Sequence, residues 1–106
     1  MLKIIETPEF TATCPVEVPG GAPGQTFRAT CIAIGRAEIE QLLLADVAGR
    51  ALADRVLRRV EDVVDGDGTP LPWDDGLRAL LLDQLWFCAA LRNGFVAELT
   101  RARRGN

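Results

Sequence analysis

At 106 residues the chain has the length of one ordinary domain, enough to bury a core without disulfide or metal staples. Hydrophobic residues make up 48% and charged residues 25%, which excludes a disordered tail, a collagen-like repeat and a coiled-coil rod. Fifteen acidic residues against 12 basic ones give a net charge of −3, which disfavours a general nucleic-acid binder, since phosphate contacts need a basic face. No apolar run approaches the ~20 residues of a membrane span. Glu6, Pro8 and Glu9 interrupt any signal-like apolar stretch near Lys3. The expectation is a soluble cytoplasmic domain with neither a membrane nor a nucleic acid as partner.

Composition also narrows the chemistry. Histidine, tyrosine and serine are absent, which removes the side chain that titrates nearest neutrality, the commonest metal ligand and every serine triad. The three cysteines, Cys14, Cys31 and Cys88, are far apart and form no C-x-x-C pair, so a structural zinc site is disfavoured. A non-catalytic binding or assembly protein, with no cofactor and no metal, is the expected class.

Residues 1–9 form a lead-in in which Leu2, Ile4 and Ile5 can add a small strand or dock on the core, with Pro8 as the stop. Residues 10–18 alternate: Phe10, Ala12, Cys14, Val16 and Val18 fall on one face, and Thr11, Thr13 and Glu17 on the other. Pro15 cannot donate to a ladder, which predicts an edge strand or a bulge. After the turn-forming 19–24, residues 25–34 alternate again, with Phe27, Ala29, Cys31 and Ala33 on the apolar face and Thr26, Arg28, Thr30 and Ile32 on the other. Two alternating runs around a Pro/Gly turn predict a β-hairpin. One hairpin register sets Cys14 opposite Cys31. A disulfide or redox switch is the functional alternative, and two small buried hydrophobes the favoured one.

Helical spacing predicts a first helix over 36–45 (Ile39, Leu42, Leu43), a break at Gly49, and a second helix over 50–64 (Leu52, Val56, Val60, Val63) with an Asp54–Arg58 pair on its outer face. Residues 65–75 read as a loop, because Asp-Gly turns and two prolines forbid a helix. The spacing does not fit a calcium loop, since Val63 would take the first ligand position. Asp74 or Asp75 can cap a short helix over Leu77, Leu80 and Leu81, and Asp83 a last helix over 84–103. In that last helix Phe87, Leu91, Phe95 and Leu99 form the stripe, Trp86, Cys88, Val96 and Ala102 flank it, and Gly94 marks close contact or a kink. Arg101, Arg103 and Arg104 suit its C-terminal end, and Gly105 its stop. The whole is a single α+β domain over 1–106: a hairpin at 10–34 against a small bundle of about four helices, with helices in 36–64, the loop at 65–75 and C-terminal helices in 76–103.

Arginines cluster at Arg50, Arg55, Arg58 and Arg59, and acids at Glu61, Asp62, Asp65, Asp67, Asp74 and Asp75. Solvated surface is the ordinary reading of each cluster, and head-to-tail complementarity between copies the sharper one.

Three stretches carry a resemblance. They are the hairpin VEVPGGAPGQTFRATCIAI at 16–34, the helix start Arg36-Ala37-Glu38-Ile39-Glu40, and the run from Val60 to Trp73, VEDVVDGDGTPLPW, before a leucine-rich helix. Together they resemble the tail assembly chaperones of long-tailed bacteriophages and prophages, over about residues 10–100. Val60 departs from the pattern, since an aromatic is common there.

The resemblance implies a non-catalytic assembly factor in the host bacterial cytoplasm that is absent from the mature virion. Its partners would be the tape measure protein, whose apolar helices it keeps soluble, and the tail tube protein, through a frameshifted long form of which this chain would be the short form. Self-association is expected as well. Leu71 and Trp73 are the candidate partner contacts, with cover of the local core the favoured alternative for Trp73, and Arg55 and Arg59 are candidates from the basic cluster. The rival readings are a small structural tail or head-completion protein and a helix-turn-helix regulator within 36–64.

Overall fold

The computed structural model describes residues 1–5 and 7–101. Strands β1 (Glu9–Val16) and β2 (Gln25–Ile32) form the expected hairpin. Helix α1 (Arg36–Ala45) and helix α2 (Arg50–Val56) follow, then a third strand, β3 (Leu57–Val60). Helices α3 (Asp75–Leu82) and α4 (Leu85–Thr100) complete the chain. The sheet is antiparallel in the order β1-β2-β3. The fold is α+β with an N-terminal hairpin. The positions expected for Ala102, Arg103, Arg104 and Gly105 lie outside the described residues.

The hairpin needs an apolar cover, and α4 supplies it by lying over β1. Ala12, Cys14, Ala29 and Cys31 face the core, where Phe87, Leu91 and Phe95 of α4 meet them. Gly94 is the closest approach. A Cβ there would stand 3.1 Å from the Cys14 Cβ and 3.2 Å from its Cα, with the sulfur nearer still. Glycine thus lets the helix axis drop onto the strand. Phe10 and Phe95 close the same contact with ring centroids 5.5 Å apart.

Several expectations are corrected. The second helix ends at Val56, because Leu57–Val60 leaves helical geometry and pairs with β2, Ala29 facing Val60 and Thr30 facing Arg59. Cys31 then faces Leu57, so the register shifts and Arg58 is the bulged residue. Asp54 and Arg58 therefore do not pair. Asp54 instead accepts from Arg78 at 3.0 Å, and the same guanidinium donates to the Asp54 carbonyl at 2.7 Å, tying α3 to the α2–β3 junction.

Cys14 faces Phe27, and Cys31 faces Phe10, so the two cysteines are not cross-strand partners. All three thiols are free and buried. Ile32, expected on the polar face, is buried as well. The cap of α4 is Gln84, whereas Asp83 ends α3. Leu2, Ile4 and Ile5 form no strand and stand exposed instead of docking on the core. Gly49 breaks the path as expected, with a left-handed φ of 89°. A Cβ there would meet the Cys88 carbonyl at 3.2 Å. No helix of the described residues is long and apolar enough to cross a membrane.

Candidate partner-binding groove

The hairpin turn, the 60–71 segment and α3 converge beside the start of α4. On the core face of β2, Phe27 stacks on Phe87 with centroids 4.9 Å apart and planes 21° from parallel. Trp86 meets Phe87 edge-on at 6.3 Å. The adjoining wall is α3, which starts at Asp74 because that carboxylate accepts from the Leu77 N–H at 2.8 Å. It buries Leu77 and Leu82 but leaves Leu80 58% exposed.

The 60–71 segment forms its own small hairpin. Asp62 turns the chain with a φ of 54°. Leu71 N–H donates to the Val63 carbonyl at 2.8 Å, and Val64 bridges Pro70. The Asp65 carboxylate caps the tip by accepting from the N–H groups of Asp67 at 2.9 Å and Thr69 at 3.0 Å. That carboxylate is a turn-former here. Among the described residues, no group of three or more His, Cys, Asp or Glu side chains is placed to hold a metal ion.

These pieces enclose an open groove of about 690 Å³, a size suited to a short apolar segment. Val16, Phe27, Val63, Leu71, Leu80 and Trp86 supply its apolar walls. Its rim is charged: Arg28 stands 3.5 Å from Glu61, and Asp62 and Asp65 extend the acidic side. A second pocket of about 510 Å³ adjoins it, sharing Arg28, Val60, Glu61, Asp62 and Leu71 as walls, with Arg59 and Trp73 beyond.

The structure thus brings three of the four candidate residues, Leu71, Trp73 and Arg59, to one neighbourhood. Trp73 also packs against the core, so it covers the core and lines the pocket at once. Arg55 lies elsewhere, on α2, where its guanidinium donates to Glu38 of α1 at 2.7 Å. Within the same cluster, Arg58 stands 4.0 Å from Glu9. Two members of the arginine cluster, Arg55 and Arg58, are therefore engaged by partners from other elements.

Sequence reasoning missed Phe27, Leu80 and Trp86 as groove walls. The signal for Leu80 was a leucine stripe that an eight-residue helix cannot bury on all sides. The cysteines offer no nucleophile: burial pushes the Cys14 and Cys31 thiols up to about 12, with mutual repulsion adding to burial at Cys31. Burial also raises Cys88, against a lowering pull from Arg50. Such thiols stay protonated and inert at neutral pH. What the site offers is shape, apolar surface and an acidic rim, which suit it to holding a chain segment. Compared with protein-family models, with curated proteins and with solved structures, the chain matches none.

Proposed function

We propose that this chain is a phage tail assembly chaperone, a non-catalytic protein that holds an apolar stretch of the tape measure protein in the host bacterial cytoplasm and is absent from the finished virion. The observation that carries the reading is the open apolar groove walled by Phe27, Leu71, Leu80 and Trp86. Exposed apolar surface of this kind on a small domain is a frequent feature of interaction sites, which supports the reading. An amphipathic helix laying its apolar face into such a groove is a recurrent mode of recognition. The resemblance over residues 10–100 supplies the identity of the client, and recruitment of the tail tube protein belongs to the same reading.

The helix-turn-helix alternative loses support, because the helix it requires stops at Val56 and Arg55 is engaged by Glu38. A structural tail or head-completion protein is the second reading, and it differs by persisting in particles. Co-expression with a phage tape measure protein from the same genome, followed by fractionation and particle analysis, tests both. The chaperone reading expects a soluble co-purifying complex and particles free of this chain. An insoluble tape measure, or this chain retained stoichiometrically in finished tails, overturns it.

A further inference from the structure

We propose that in the absence of a client the groove is occupied by residues 2–5 of a second copy of this chain, so that self-association and client binding compete for one site. The inference rests on reading the groove as a docking site, and adds how that site is guarded.

Three observations lead to it. First, Leu2, Ile4 and Ile5 stand 84%, 82% and 63% exposed, outside any helix or strand. Large apolar side chains this dense and this bare favour a partner surface. Second, the charges match. Lys3 sits within the apolar run, and the groove rim carries Glu61, Asp62 and Asp65 against a single Arg28. An apolar segment with one cation fits an apolar groove with an acidic lip.

Third, the segment stands exposed and clear of its own molecule's groove, whose lining begins at Val16. The Ala33 N–H donates to the Pro8 carbonyl at 2.8 Å, so the ladder runs past Glu9 and the N-terminal segment leaves the sheet at the end opposite the hairpin turn. The groove opens at the turn end, where Val16, Val18 and Gln25 line it, and runs back to Arg28 and Val60. Exchanged between two copies the contact closes a two-fold dimer, and passed from copy to copy it builds a ring or an open chain. Arrival of a client helix would expel the segment and open the assembly, and the competition would lower apparent client affinity until enough client is present.

The test uses the 106-residue chain, an Ile4→Asp/Ile5→Asp variant, which alters only exposed positions, and Leu80→Asp, which alters an exposed groove wall. Circular dichroism checks the fold of each, and light scattering over a concentration series reads association. The wild type should associate, and each variant should do so at least tenfold more weakly. An equimolar mixture of the two variants should recover a pairwise complex, because each retains the half that the other has lost. A labelled peptide of residues 1–8 should bind the wild type and the Ile4→Asp/Ile5→Asp protein, and bind Leu80→Asp at least tenfold more weakly.

A wild-type monomer at all concentrations, undiminished association of the N-terminal variant, or failure of the mixture to associate each overturns the proposal. The chaperone reading is judged separately by whether the Ile4→Asp/Ile5→Asp protein keeps the tape measure soluble. If it does while self-association proves independent of residues 2–5, this inference falls and the function stands.

Discussion

The two halves of α4 do different work. Its C-terminal half is sealed onto β1 at one point: Gly94 lies against Cys14, and Phe95 against Phe10, while Val96 and Leu99 beyond them are each 38% exposed. Its N-terminal half is a wall: Phe87 is buried under Phe27, but Trp86 beside it faces an open groove whose far side is Leu80. The same helix therefore sits closest to β1 at Gly94 and, around Trp86, walls the groove. The difference lies in neighbour size. Small residues let the helix sink onto β1, while the short α3 and the Asp65-capped turn hold their apolar side chains apart.

Truncation in the sealed half should have the largest effect. Phe95→Ala removes a fully buried ring and should cost about 3–5 kcal/mol in denaturant unfolding. Gly94→Val forces a branched side chain into Cys14 and should cost about 1–3 kcal/mol, since strand and helix must separate. If either variant unfolds at the wild-type midpoint, the seal is not where the stability lies.

Alkaline pH probes the same half. Cys14 and Cys31 are raised to about 12 in the fold, whereas an unfolded thiol titrates near ~8.5. Between these values the unfolded chain has released protons that the native one retains, so stability falls as pH rises. The expected course is flat to about pH 8, then a loss of roughly 1 kcal/mol per thiol per pH unit toward pH 12. Cys14→Ala/Cys31→Ala should flatten that decline.

These residues also show how far the sequence could be read. The alternation of 10–16 and 25–31, the helix at 36–45 and the Asp74 cap were legible because each rests on a local period or a cap. The strand β3 was not. Leu57 and Val60 extend the helical spacing of Leu52 and Val56, and over four residues the two periods coincide. Only pairing with β2 decides between them. The cysteine register was hidden too: residues 17–24 offer several turns, and the one adopted sets Phe27 against Cys14. In the site, Leu71, Trp73 and Arg59 came together as candidates from one stretch of chain, whereas Phe27 and Trp86 join them only through the tertiary fold.

In the open half the effects should be smaller on stability and larger on binding. Asp74→Ala removes the cap of α3 and should cost about 1 kcal/mol, with faster hydrogen exchange confined to α3. Leu80→Asp should move stability by less than about 0.5 kcal/mol, because the side chain is already exposed. It should nevertheless abolish co-purification of the tape measure protein.

The most direct test of the central claim is hydrogen–deuterium exchange on the purified complex with the tape measure protein, against the free chain. Docking in the groove predicts new protection in residues 25–28, 60–71 and 77–87, and none in 94–100, which does not line the groove. Protection confined to α1 or to the C-terminal half of α4, with the groove segments exchanging as in the free chain, would contradict it.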